Sequence, residues 1–292
     1  MTPPLVVGVD GSQACLLAVD WAVDEAMRHG VLLRLVYASR WERYERALPA
    51  ADGERPSELV LEEHIVESAA ERAQRRNPDV KVITDILPDD AAVALVHESN
   101  DAFALVTGSR GRGRLTGMLL GSVSLAVAAR AHCPVVVVRG DQAGLAGTHG
   151  RILLGIGDAD TGTEALRFAF REAGARRCVL DAVRAWRHTA HDPSGDRAGE
   201  PAADARAATL LDAALNSPSA EYPRVDARRS ALEGPASKVL LHRSAAADLV
   251  VVGAHHRTGH FGLQLGRVGH TLLHHSQCPV AIVPDRPQVS AS

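Results

Sequence analysis

The chain has 292 residues, 46% hydrophobic but only 3% aromatic, with a formal net charge of −3; it is long enough for two domains with aliphatic interiors, and no general charge excess directs it to nucleic acid or membrane. Its four cysteines, Cys15, Cys133, Cys178 and Cys278, stand far apart with no C-x-x-C pair, which argues against a disulfide framework or a zinc module. The N-terminus lacks a signal-type apolar core and no run approaches the ~20 apolar residues of a membrane span, so a cytoplasmic protein without membrane contact is expected.

Leu5 to Val9 predicts a first strand, ended by Asp10-Gly11-Ser12, a turn and N-cap signal. Leu16, Val19, Ala22, Val23 and Ala26 then recur at helical spacing until His29-Gly30 closes the helix. Val31 to Ala38 reads as the second strand. Ser39 to Ser57 is a polar excursion, expected to be a mobile loop, before helix resumes over Leu59 to Arg76. A third strand over Val80 to Leu87, a helix over Asp89 to Glu98 and a fourth strand over Phe103 to Val106 follow. Next comes Gly108 to Ser122, GSRGRGRLTGMLLGS, then a helix to about Ala131 and a valine-rich fifth strand over Pro134 to Arg139. Strands alternating with helices imply parallel pairing through right-handed crossovers, a doubly wound α/β domain.

Gly140 to Gly150 reads as a Gly/Ala-rich linker, after which the pattern begins again. Arg151 to Ile156 matches Leu5 to Val9, and Ala165-Leu166-Arg167-Phe168-Ala169 falls where Ala18-Val19-Asp20-Trp21-Ala22 fell, at an offset of 147 residues. Asp248 to Gly253 repeats Phe103 to Gly108, and Gln277-Cys278-Pro279-Val280 repeats His132-Cys133-Pro134-Val135, at an offset of 145. Arg187 to Ala203 repeats the long polar excursion. The chain is an internal duplication. The expected domains are 1–140 and 151–286, with a linker over 141–150 and a tail over 287–292. Each is a Rossmann-like domain with a five-stranded parallel sheet flanked by helices.

The glycine loop between the fourth strand and its helix suits a phosphate. Glycines allow backbone N–H groups to approach a polyanion, a helix start offers unpaired donors and partial positive charge, and Arg110, Arg112 and Arg114 add field. A solvated Gly/Arg loop is the plainer alternative. Only Lys81 and Lys238 among the 32 basic residues are lysines, and neither lies near the loop, which excludes a Walker A motif and a protein kinase.

Three features stand together: Val7-Gly8-Val9-Asp10-Gly11-Ser12 at the first strand end, the G-x2-G-x9-G-S loop, and Cys133-Pro134-Val135-Val136-Val137-Val138 closing the half. With them the chain resembles the universal stress protein family in its tandem form, over nearly its whole length. The resemblance implies ATP binding with Mg2+. It implies that Gly108, Gly111, Gly121 and Ser122 contact phosphate and ribose, with Val123 and Ser124 beside them, that Asp10 contacts the adenosine, and that the backbone of Ala38 meets the adenine. Helix capping is the alternative duty for Asp10 and for Ser122, and Ser12 is a rival cap for the first helix. The resemblance also implies self-association through the fifth strands, hence a pseudo-dimer of halves and an expected homodimer of chains.

The second half departs from this pattern. Gly157 replaces Asp10, with Asp158 displaced by one residue; His256 replaces Gly111; Arg267 replaces Ser122 after the retained Gly266. A side chain at the Gly111 position would crowd a phosphate and would not suit a left-handed backbone. Nucleotide is therefore expected in the first half and weakly or not at all in the second. Histidines are frequent in the second half (His255, His256, His260, His270, His274 and His275), and His270 and His274 have i, i+4 spacing, yet no local carboxylate or cysteine joins them, so solvated histidines are expected rather than a metal site. No nucleophile and base are arranged for catalysis. The chain reads as an ATP-binding regulatory protein of the stress response, against two alternatives: a slow ATPase or self-phosphorylating enzyme, and a ligand-free dimerisation module.

Overall fold

The computed structural model describes residues 2–39, 57–111, 120–157, 163–187, 203–254 and 265–285. The chain divides into two compact units, Met1–Arg139 and Gly140–Ser292. In the first, β1 (Leu5–Gly8), α1 (Gln13–His29), β2 (Leu33–Ala38), α2 (Ser57–Arg76), β3 (Val82–Leu87), α3 (Ala91–Glu98), β4 (Ala104–Gly108), α4 (Ser122–Arg130) and β5 (Val135–Val138) follow in chain order. All strand pairs are parallel, in the order β3-β2-β1-β4-β5. Every residue of β4 and β5 is buried, as a sheet covered by helices on both faces requires. On outer strand β3, Ile83 is exposed.

Ser12 caps α1, its Oγ accepting the Cys15 N–H at 3.2 Å, and Gly30, with φ of 63°, terminates it. The strand order reverses between β1 and β4, so a crevice opens where their carboxyl ends diverge.

The second unit repeats the plan with β6 (Arg151–Gly155), α6 (Thr163–Arg176), β7 (Val179–Trp186), α7 (Ala203–Glu221), β8 (Ala227–Glu233), α8 (Ala236–Ser244), β9 (Leu249–Ala254), α9 (Arg267–His275) and β10 (Val280–Pro284); α5 (Gln142–Ala146) precedes them. Its strands are parallel in the order β8-β7-β6-β9-β10. The register is duplicated too: Gly8 lies beside Val36, and Gly155 beside Val183. So are small polar braces. Ser99 Oγ accepts the His132 N–H at 2.9 Å, and Ser244 Oγ accepts the Gln277 N–H at 3.2 Å.

The stretch expected to be a linker is partly helical. Asp141 caps α5 by accepting the Gly144 N–H at 2.8 Å, and its own N–H donates to the Gln277 carbonyl at 3.0 Å. A Cβ on Gly144 would lie 2.7 Å from that carbonyl oxygen. The small residues that read as a linker let the helix lie flush against the turn before β10.

Burial pushes the Cys133 and Cys278 thiols up to about 12 from 9.0. For such a group the unfolded chain loses its proton first, so the stability contribution is complete below pH 9 and falls as pH rises from 9 toward 12. Urea unfolding of the wild type between pH 8 and about 10.5 is expected to show this decline, and a Cys133→Ala/Cys278→Ala variant to show a shallower one.

Candidate functional site

Beyond β1 the chain holds to β2 for one more bond, from the Val9 N–H to the Val36 carbonyl at 2.9 Å, and then turns away. Asp10 braces that turn: its Oδ1 accepts the Ser12 N–H at 2.9 Å. The Ser12 hydroxyl donates to the Arg110 carbonyl at 3.3 Å, which fastens the loop after β1 to the loop after β4. The latter loop closes on itself, because the Gly121 N–H donates to the Ser109 carbonyl at 2.8 Å. A Cβ on Gly121 would stand 3.7 Å from the Gly111 nitrogen, so both ends of the loop meet at one place. Residues 112–119 between them, with Arg112 and Arg114, lie outside the described residues.

Asp10, Arg110, Gly111, Gly121 and Ser122 therefore converge at the switch point, and α4 starts there. Gly121 is the N-cap, with φ −73° and ψ 148°, and no side chain caps the helix. Capping is thus not the duty of Ser122, which is the exposed first residue of α4; nor is it the duty of Asp10, since Ser12 caps α1. The first amides of α4, those of Ser122, half-buried Val123 and Ser124, point out of the helix end with its positive dipole.

The glycines serve different needs. A Cβ on Gly108 would lie 2.7 Å from the Ala14 carbonyl carbon and oxygen and 2.9 Å from the Cys15 nitrogen, all backbone of α1. A Cβ on Gly111 would lie 2.7 Å from Asp10 Oδ2. Gly111 does not have a left-handed φ, contrary to expectation; what a side chain there would meet first is the Asp10 carboxylate, which would have to turn aside. Ser124 is buried, and its hydroxyl donates to the Gly108 carbonyl at 2.7 Å, tying the start of α4 to the end of β4. Spacing alone did not reveal this bond.

Ala38 reaches the same crevice through strand alternation. Val36 faces β1, accepting from Val9, whereas the Ser39 N–H turns to β3 and donates to the Leu87 carbonyl at 2.9 Å. Two residues beyond Val36, Ala38 turns its backbone polar groups to the β1 side, past the point where β1 ends.

In the second unit Gly266 is the N-cap of α9 and Arg267 its first residue, as Gly121 and Ser122 are for α4. Gly157, in the Asp10 position, offers no carboxylate, and its carbonyl accepts a hydrogen bond from the Arg184 guanidinium of β7. Asp158, His255, His256 and His260 lie outside the described residues. His270 and His274 stack with ring centroids 4.4 Å apart, and His275 lies 6.0 Å from His274. Among the described residues, no helix is long and apolar enough to cross a membrane.

A duplicated, doubly wound parallel sheet with a glycine loop and an uncapped helix start at the switch point defines a tandem Rossmann-like α/β protein. The chain belongs to the universal stress protein family, whose model matches residues 1–139 and 148–284. It is 32% identical over 293 residues to universal stress protein Rv2623 of Mycobacterium tuberculosis, covering 95% of each chain. Solved structures with the same fold include a universal stress protein from Archaeoglobus fulgidus, at a TM-score of 0.62 and 16% identity over 97% of this chain and 99% of that one. Another is a putative universal stress protein from Pseudomonas aeruginosa, at 0.63 and 16% over 97% and 93%.

Gly108→Ala is expected to cost about 1–3 kcal/mol in urea unfolding, because the atoms it meets are main chain and cannot step aside. Gly111→Ala is expected to cost less than about 1 kcal/mol, because a half-buried Asp10 side chain can rotate away.

Proposed function

We propose that the first unit binds ATP, with Mg2+ accompanying the triphosphate, and that the protein is a nucleotide-dependent regulator of the stress response whose association with partners follows its nucleotide state. The observation that carries this reading is the convergence of Asp10, Gly111 and the uncapped start of α4 at the switch point. The donor and acceptor set fits a nucleotide. The amides of Ser122, Val123 and Ser124, the Ser122 hydroxyl and the exposed Arg110 supply donors and positive charge for phosphate. Asp10 supplies a carboxylate acceptor for ribose hydroxyls, and Ala38 offers backbone groups that hydrogen-bond an adenine edge. Gly108 and Ser124 hold strand and helix in place behind these contacts. Gly111 keeps the phosphate approach free beside Asp10.

In the second unit this set is depleted. Gly157 cannot accept from a ribose through a side chain, and Arg184 occupies its carbonyl. Arg267 replaces the hydroxyl at the helix start. Nucleotide binding there is weak or absent.

The test is the nucleotide content of purified protein by mass spectrometry, joined to calorimetric titration with ATP and Mg2+. One ATP per chain is expected. Asp10→Ala and Gly111→His, the latter copying the second half's residue, should each weaken binding by about tenfold or more. Two equally occupied sites, or wild-type affinity in Gly111→His, would overturn the proposal.

A further inference from the structure

The two units carry one polar clamp with its charges reversed. In the first, Arg34 on β2 donates from Nε to Asp85 on β3 at 2.7 Å and from Nη1 to Glu98, the last residue of α3. In the second, Asp181 on β7 accepts from the Ser230 hydroxyl on β8 at 3.4 Å and from the Arg243 guanidinium on α8. Strand register fixes the correspondence. Arg34 lies beside Val6 of β1, and Asp181 beside Leu153 of β6. Asp85 lies beside Val36, two residues past Arg34, and Ser230 beside Val183, two past Asp181. Glu98 and Arg243 stand immediately before Ser99 and Ser244, whose hydroxyls accept matching main-chain bonds. A basic strand residue holding an acidic helix end in one unit is thus an acidic strand residue holding a basic helix end in the other.

Each clamp spans the seam between the early half of its unit, β1 to β3 or β6 to β8, and the late half, α3 to β5 or α8 to β10. Two further contacts across that seam are the same in both units. β1 pairs with β4 and β6 with β9 in one register, Val6 against Leu105 and Leu153 against Val250. A Cβ on Gly8 would lie 2.7 Å from Leu95 Cδ1, and one on Gly155 2.6 Å from Leu240 Cδ1, so each helix packs a leucine over a glycine. Main chain and leucine therefore fit either partner. The charges do not. The Glu98 and Asp181 side chains are 12% and 5% exposed, and an exchange of late halves would set these two largely desolvated carboxylates together. The same exchange would set Arg34 against Arg243.

We infer that the reversed charges are a recognition device, which makes each late half dock on its own early half during folding and bars exchange between unlike units of one chain or of neighbouring chains. The seam is the interaction surface, and its partner is the late half of opposite charge. A duplicated chain with shared register and shared apolar contacts has alternative pairings of similar fit, and like-charge placement is what separates them. This inference is independent of the nucleotide reading.

The experiment is refolding of the full chain from urea, scored as the fraction that regains the size-exclusion profile and thermal midpoint of never-unfolded protein. Arg34→Asp/Asp85→Ser/Glu98→Arg writes the second unit's clamp into the first, so both seams carry one polarity. It is expected to recover at least about threefold less native protein than the wild type, with the loss growing as protein concentration rises. Asp181→Arg/Ser230→Asp/Arg243→Glu, which copies in the other direction, should lose as much. All six changes together restore opposite polarity and should bring recovery back to the wild-type level. Damage to one clamp by its own substitutions would not be repaired by substitutions in the other unit. Undiminished recovery in both three-site variants, or recovery in the six-site variant no better than in the three-site ones, would overturn the inference.

Discussion

Because the backbone of Gly108 lies against the opening turn of α1, with no room for even a Cβ between them, the carboxyl end of β4 and the amino end of α1 are set at a fixed distance. The first unit's crevice is built outward from that contact. Ser124 reaches back to the Gly108 carbonyl and so places the start of α4 relative to the same point. Ser12, one residue before α1, both caps that helix and holds Arg110. Three elements distant in sequence thus share one reference, and the crevice is braced by serine hydroxyls bonded to main-chain groups. Such an arrangement is pre-organised: its donors are aimed before a ligand arrives.

The duplication shows which parts of this plan belong to the fold and which to the site. Strand order, register and the serine braces at Ser99 and Ser244 recur in both units. At the crevice the side chains differ: Asp10 against Gly157 and Ser122 against Arg267. Such positions can change with little penalty to folding because the sheet does not depend on them, so one scaffold can carry two different surfaces.

The sheet was legible in the sequence because buried parallel strands read as continuous valine and leucine runs, and the Asp10-Gly11-Ser12 turn and the two ends of the glycine loop announce themselves by composition. The family resemblance rested on those residues. Less visible was why particular residues are there. Gly108 reads as a phosphate glycine, yet its demand for smallness comes from Ala14 and Cys15, far away in the chain. Gly111 answers to Asp10 rather than to an unusual backbone angle. Ser12 and Arg110 are 98 residues apart. These are through-space constraints, and local spacing carries no trace of them.

The placement of α5 changes where the chain can be divided. Because Asp141 and Gly144 lie against Gln277 and Cys278, the residues after Arg139 are part of the second unit's wall. A separately expressed second unit that began at the first residue of β6 would lose the cover over the Gln277 carbonyl and the Cys278 backbone along that side. Begun at Gly140, it keeps its own cover.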